Sequence, residues 1–238
     1  VLARRAEEDA AAMGRMDKAL RREAASVMNE LVDAVAGGGP RLFLHQRLGR
    51  AWKTVERDQA LLRRALVLSA DHELDAATLA ARAAASTRAP LAACALAAWS
   101  ASTGPDCGGR ITQAVEFVAE ARRANDAHGV ARRRLSQGLA LPGFGHPFYP
   151  EGDPRARALI EAAGLSADLQ DVVDAGEQLT GEAANFDLAL ALVGRHLDLP
   201  KDAPFALFAV GRTVGWLAHA MEQASSGSPL RARVRYVG

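Results

Sequence analysis

Small residues at helical spacing are the strongest constraint on how this chain folds. Ala76, Ala77, Ala80, Ala81, Ala83, Ala84 and Ala85 nearly fill one segment, and the uncharged stretch Leu91–Trp99 is a second of the same kind. Alanine is the best intrinsic helix former, and its small side chain lets neighbouring backbones approach closely. Strands need β-branched or aromatic residues at alternate positions, and no segment shows that pattern; aromatics make up only 5% of the chain. The expected fold class is all-α. Helices are expected at about 3–36 (one charged, Ala-rich helix closed by Gly37-Gly38-Gly39-Pro40), 58–70, 75–86, 90–102, 111–127, 129–138, 154–163, 167–179, 182–197 and 203–224. No strand or internal repeat is expected. Breakers cluster at Gly104–Gly109, the best candidate for a hinge or domain boundary.

With 238 residues, the chain has ample material for one large domain or two smaller ones. Its formal charge of +1 offers no extended footprint for nucleic acid. Arg132-Arg133-Arg134 reads as a solvated helix face. Two cysteines, Cys94 and Cys107, make neither a disulfide framework nor a metal site, and Cys94 reads as core filling. No apolar run approaches the length of a membrane span and no signal peptide is visible, so a soluble, cytoplasmic protein is expected.

Chemistry concentrates in a few places. In Pro142-Gly143-Phe144-Gly145-His146-Pro147, the breakers put His146 on a tight, solvent-reachable loop. Asp153-Pro154 starts a helix, Asp as N-cap and Pro at the first position, with Arg155 in the first turn. An imidazole and a guanidinium at one junction form either a grip for a small carboxylate or keto acid, or simple caps for backbone carbonyls. His72 is flanked by Asp71 and Glu73, which fits an imidazole oriented toward a ligand as well as a structural residue. Asp187 lies in an apolar helix, where desolvation would raise its pKa and make it a better base; a position at the helix edge is the alternative. Arg212, between Gly211 and Gly215 in another apolar helix, needs an anion from a ligand or an acidic side chain. Arg231, Arg233 and Arg235 form a basic tail. The set suits a dicarboxylate and proton abstraction next to a carbonyl.

These residues resemble the citrate synthase family. The resemblance is carried in order by Ala70–Thr78, Gly143–His146 through Asp153-Pro154-Arg155, Gly211–His219 and Arg231–Gly238, and it covers roughly residues 46–238. It implies a citrate synthase-like, all-α homodimer with a large and a small domain. Residues 1–106 and 195–238 would form the large domain, shortened on its N-terminal side, and 107–194 the small one. It implies a transferase of the tricarboxylic acid cycle that condenses acetyl-CoA, or a related acyl-CoA, with oxaloacetate to give citrate and CoA. No metal and no resident cofactor are implied. By motif, His72, His146, Arg155 and Arg212 match oxaloacetate ligands, and Arg231 matches the arginine that reaches the pocket from a partner subunit. Asp187 matches the catalytic base, His146 would polarise the oxaloacetate carbonyl, and Leu141, Pro142, Gly143, Phe144 and Gly145 match a loop that cradles the CoA adenine.

Two departures bear on activity. The family's second catalytic His lies in Gly-Pro-x-His-Gly-Gly, whereas this chain reads Gly104-Pro105-Asp106-Cys107-Gly108-Gly109, with Cys107 in its place. A thiol is a weak donor, and losing one such stabiliser costs about 10²–10³ in rate. Pro147, Pro150 and Glu151 stand where relatives carry basic residues for CoA phosphates. Three readings follow: an enzyme slowed at Cys107, a catalytically inactive oxaloacetate- or citrate-binding regulatory protein, or a non-catalytic subunit pairing with a complete paralogue. The full set of five oxaloacetate ligands favours the enzyme.

Overall fold

The computed structural model describes residues 1–40, 42–231 and 235. Twelve α-helices are formed among them: α1 Leu2–Glu8, α2 Asp17–Ala36, α3 Leu44–Ala51, α4 Gln59–Ser69, α5 Ala76–Ser86, α6 Leu91–Ser102, α7 Gly109–Ala124, α8 Ala127–Ser136, α9 Pro154–Ala163, α10 Ala167–Thr180, α11 Phe186–His196 and α12 Ala203–Ser226. The only strand-like pairing among the described residues is an isolated antiparallel bridge, Phe144 to Ala184. None of these helices is long and apolar enough to cross a membrane.

The N-terminal expectation needs correction: residues 3–36 are two helices, not one. α1 closes at Asp9, and Gly14 adopts φ +79 in the break. The buried Arg5 ties the two pieces together through Asp9, Ser26 Oγ and Glu30. α3 was not expected, since Leu44, Leu48 and Ala51 are its only apolar side chains and it is just eight residues long; it forms because Leu48 and the stem of Arg47 are buried against α4.

The chain divides into two compact units. The first comprises Val1–Ala34, Ala70–Ser102 and Arg212 onward; the second comprises Val35–Ser69 and Thr103–Gly211. One division, between Ser102 and Thr103, lies beside the Gly104–Gly109 breakers.

In the first unit, α5 lies along α6, with Ala77, Ala81 and Ala98 packed around Trp216. Trp99 meets Trp216 edge-on at 6.4 Å and donates to Thr213 Oγ1 at 2.8 Å. Cys94 is fully buried, and burial pushes its thiol up to about 12, in keeping with a core-filling role. In the second unit, α7, α9 and α11 pack together, and α10 packs on α7 and α8. Phe144 sits in this core. Its ring meets Phe117 edge-on at 6.4 Å and occupies the space beside Gly176, where a Cβ would stand 1.9 Å from the ring.

Candidate active site

Loop 142–146 owes its shape to its glycines and to the segment preceding α11. Gly145 N–H donates to Ala183 O, Asn185 N–H to Gly143 O, and Asn185 Nδ2 to Gly145 O. Asn185 is also the N-cap of α11, accepting from the N–H groups of Asp187 and Leu188. One buried side chain thus joins the His146 loop to the helix turn carrying Asp187. Gly143 has φ +95, and a Cβ there would lie 2.6 Å from Leu188 Cβ. Gly143→Ala is expected to cost about 1–3 kcal/mol from overpacking and left-handed strain. Chemical denaturation checks this; an unchanged midpoint would show that the loop does not need this glycine.

Asp153 caps α9 as expected, accepting from Arg155 N–H at 2.9 Å, and Pro154 takes the first helical position. Its side chain, completely buried, also accepts a fork from Arg155: Nε to Oδ1 at 3.0 Å and Nη2 to Oδ2 at 2.7 Å. Phe186 N–H, at the start of α11, donates to Oδ2 at 3.2 Å. The Arg155 guanidinium lies 4.8 Å from the Phe186 ring centre, so its plane and direction are set by two neighbours. Burial works to raise the Asp153 pKa, but the hydrogen bonds and charge of Arg155 outweigh it and hold the carboxyl below its usual range.

His146 packs beside Tyr149, ring centres 4.9 Å apart, and Phe148 N–H donates to its Nδ1 at 3.2 Å. With Nδ1 accepting, the neutral ring carries its proton on Nε2. Burial lowers the His146 pKa; the charges of Arg155 and Arg110 act in the same direction, against Asp153. Asp187 is half-buried by surface area, but protein surrounds its carboxyl, and desolvation pushes its pKa up to about 6. Arg110 and Arg155 pull it down, and Asp153 adds to the rise. A donor, an oriented cation and a poised base thus share one neighbourhood of the second unit.

Cys107 is half-buried in the turn before α7. Its N–H donates to Gly104 O, and Arg110 N–H donates to Cys107 O. Gly109 N–H also reaches Gly104 O, and a Cβ on Gly109 would stand 2.7 Å from that oxygen, so the turn requires glycine. Leu141, Gly143 and Phe144 are buried, and Pro142 and Gly145 half-buried.

The first unit holds the other residues singled out by sequence. Arg212, 1% exposed, donates from Nη1 to Asp71 Oδ1 at 3.0 Å and Ala70 O at 3.2 Å, and from Nη2 to Glu73 O and Thr78 Oγ1. Its partners among the described residues are thus Asp71 and three further acceptors, while the buried Nε–H makes no hydrogen bond and faces Asp75 Oδ2 at 3.9 Å. Glu73 reaches its place with φ +59, and Gly215 lets Ala70 O approach to where a Cβ would sit at 2.1 Å. His219 bridges Asp71 and Arg82. His72 is half-buried in the same loop, and Arg231 is exposed after α12. Residues 232–234 and 236–238 of the closing motif, Arg233 included, lie outside the described residues.

Sequence reasoning missed three residues here: Arg110, the second task of Asp153, and Asn185 as the link between loop and helix. Asn185 carried a readable signal, an N-cap type just before the apolar run of α11; Arg110 carried none, because its role depends on charges brought near it. A cavity of about 610 Å³ lined by Arg57, Arg63, Arg64, Leu61, Ala158 and His196 contains none of the site residues. Among the described residues, no group of three or more His, Cys, Asp or Glu could hold a metal ion.

A family model described as "Citrate synthase, C-terminal domain" matches residues 10–233. The chain is 36% identical over 184 residues to "Putative citrate synthase 2" of Mycobacterium tuberculosis, covering 72% of this chain and 49% of the relative. It is 32% identical over 206 residues to "2-methylcitrate synthase" of Shewanella oneidensis, covering 82% and 54%. It therefore spans about half the length of these relatives. Among solved structures, citryl-CoA lyase from Hydrogenobacter thermophilus is similar over 87% of each chain, with TM-score 0.74 and 25% identity. Citrate synthase from Thermoplasma acidophilum, solved with carboxymethyl coenzyme A and oxaloacetate, matches 100% of this chain and 71% of its own with TM-score 0.84; at 23% identity that likeness speaks for the fold.

Proposed function

Because the chain belongs to the citrate synthase family, we propose that it joins acetyl-CoA, or a closely related acyl-CoA, to oxaloacetate to give citrate and CoA. The observation that carries this reading is the Asp187 carboxyl, raised to about 6 beside Arg155, on a helix cap joined to the His146 loop. A carboxylate of that basicity is suited to take a proton from the carbon next to a thioester. The resulting enolate carbon attacks the ketone of oxaloacetate, and the ketone oxygen takes the Nε2 proton of His146. Water then cleaves the thioester and CoA leaves. Arg155 serves as a carboxylate ligand, since its fork to Asp153 fixes the guanidinium and leaves Nη1 outside the fork. His72 and Arg212 are proposed as further oxaloacetate ligands, Arg212 exchanging its bond to Asp71 for a substrate carboxylate, and Leu141–Gly145 as the adenine loop. Arg231 is proposed to serve the pocket of a second copy, making the working form a homodimer.

The match over 87% of each chain to a citryl-CoA lyase favours a second reading, cleavage of citryl-CoA to acetyl-CoA and oxaloacetate. The same residues act with the proton flow reversed. Both directions pass through the enolate, so Cys107 slows both by about 10²–10³ relative to a His.

The test measures CoA thiol release from oxaloacetate with acetyl-CoA or propionyl-CoA, and oxaloacetate release from citryl-CoA, for the native chain and Cys107→His. Slow condensation that rises about 10²–10³-fold in Cys107→His is the expected result. Turnover of citryl-CoA without any condensation would favour the lyase. Oxaloacetate binding with no turnover by either variant would favour the inactive regulatory protein or the subunit that needs a paralogue. A native chain that sediments as a monomer would remove the role of Arg231.

A further inference from the structure

Taking a proton from the carbon beside a thioester drives negative charge onto the thioester oxygen, and that oxygen needs a preorganised donor. Arg155, aimed by its fork to Asp153, is assigned to a carboxylate of oxaloacetate. His146 offers a single donor, used by the oxaloacetate ketone. The Cys107 thiol is a weak donor.

Arg110 is differently placed. It is the second residue of α7, as Asp187 is of α11, and α7 packs on α11. Its N–H bonds Cys107 O at 3.0 Å, so it stands one helical turn from Cys107, on a turn locked by Gly109. Its charge is felt at both Asp187 and His146. The residue is exposed, and it forms no ion pair among the described residues.

Resting on the condensation reading, we infer that Arg110 holds the acyl-thioester oxygen while Asp187 removes the neighbouring proton. The proton passes to the Asp187 carboxylate, the C–H pair becomes the C=C bond, and the carbonyl π pair moves onto the oxygen that faces the guanidinium. That pair returns when the enolate carbon attacks the ketone, so no oxidant or reductant enters. With a full positive charge as its donor the intermediate is an enolate rather than an enol, and a second donor at position 107 would add to this stabilisation.

The test compares native, Arg110→Gln and Arg110→Lys chains loaded with oxaloacetate. Calorimetry follows carboxymethyl-CoA, whose carboxylate mimics the enolate oxygen, and acetyl-CoA. Arg110→Gln is expected to weaken carboxymethyl-CoA by about tenfold or more, leave acetyl-CoA unchanged, and lower kcat about 10²–10³-fold at constant oxaloacetate KM. Arg110→Lys should restore most of both losses. Because Arg110 is exposed, the unfolding midpoint should not move. Equal carboxymethyl-CoA binding by native and Arg110→Gln chains overturns the inference and leaves condensation standing. Failure of the native chain to bind carboxymethyl-CoA overturns both.

Discussion

Asp187→Asn is expected to lower turnover by about 10²–10⁴-fold and to make the chain more stable at the same time. The two effects share one cause. Desolvation raises the Asp187 carboxyl to about 6 from the usual 3.8. A shift of that size corresponds to about 3 kcal/mol lost when the group ionises in the folded state. The folded chain holds this proton more tightly than the unfolded chain does. The cost is therefore absent below the ordinary carboxylate pKa, grows as pH rises, and is complete above about pH 6. Asparagine keeps the shape and carries no charge, so at pH 8 the variant should gain about 1–3 kcal/mol in urea unfolding, with the gain vanishing near pH 4. The native rate should fall as pH drops through about 6, because the base becomes protonated. A variant no more stable than native at pH 8 would mean that the carboxylate is better solvated than its surroundings indicate.

Asp153→Ala is expected to cost about 3–5 kcal/mol, the largest stability loss among the substitutions considered. The substitution removes the acceptor of four donors: Arg155 N–H, Nε and Nη2, and Phe186 N–H. It leaves the Arg155 guanidinium, 14% exposed, without its counter-charge, and two helix starts without their shared acceptor. Arg155→Ala should also be severe, since it strands a carboxylate with no exposed surface. The double variant should lose clearly less than the sum of the two. Denaturation of the three variants measures this; additive losses would mean that the two side chains act independently. The Asp153 pKa is depressed, so its contribution is full above the ordinary carboxylate range and is lost as pH falls through the lowered value.

Much of this was legible locally. The α9 start follows from Asp153-Pro154, and the Ala-rich segments became α5 and α6 because propensity and burial agree there. The chain between α1 and α2 was not legible: its residues suit a helix, and the break depends on Gly14 and on Arg5 reaching Glu30. α3 was missed because its apolar positions, Leu44, Leu48 and Ala51, span only about two turns, and the burial of Arg47 beside Leu48 is a tertiary event. Arg212 clearly needed an anion, but only the fold selects Asp71, far away in the chain, to supply it.

By itself, the sequence determined the helical class and the order of the motifs, and it singled out His146, Arg155 and Asp187 as candidates for chemistry. These rest on spacing and on the intrinsic nature of each side chain. Only the tertiary structure decided that Asp187 is desolvated, that Asp153 aims Arg155, that His146 presents Nε2–H, and that Arg110 lies within electrostatic reach of both. Desolvation and the distance between charges are properties of packing between segments remote in sequence, and no local pattern encodes them.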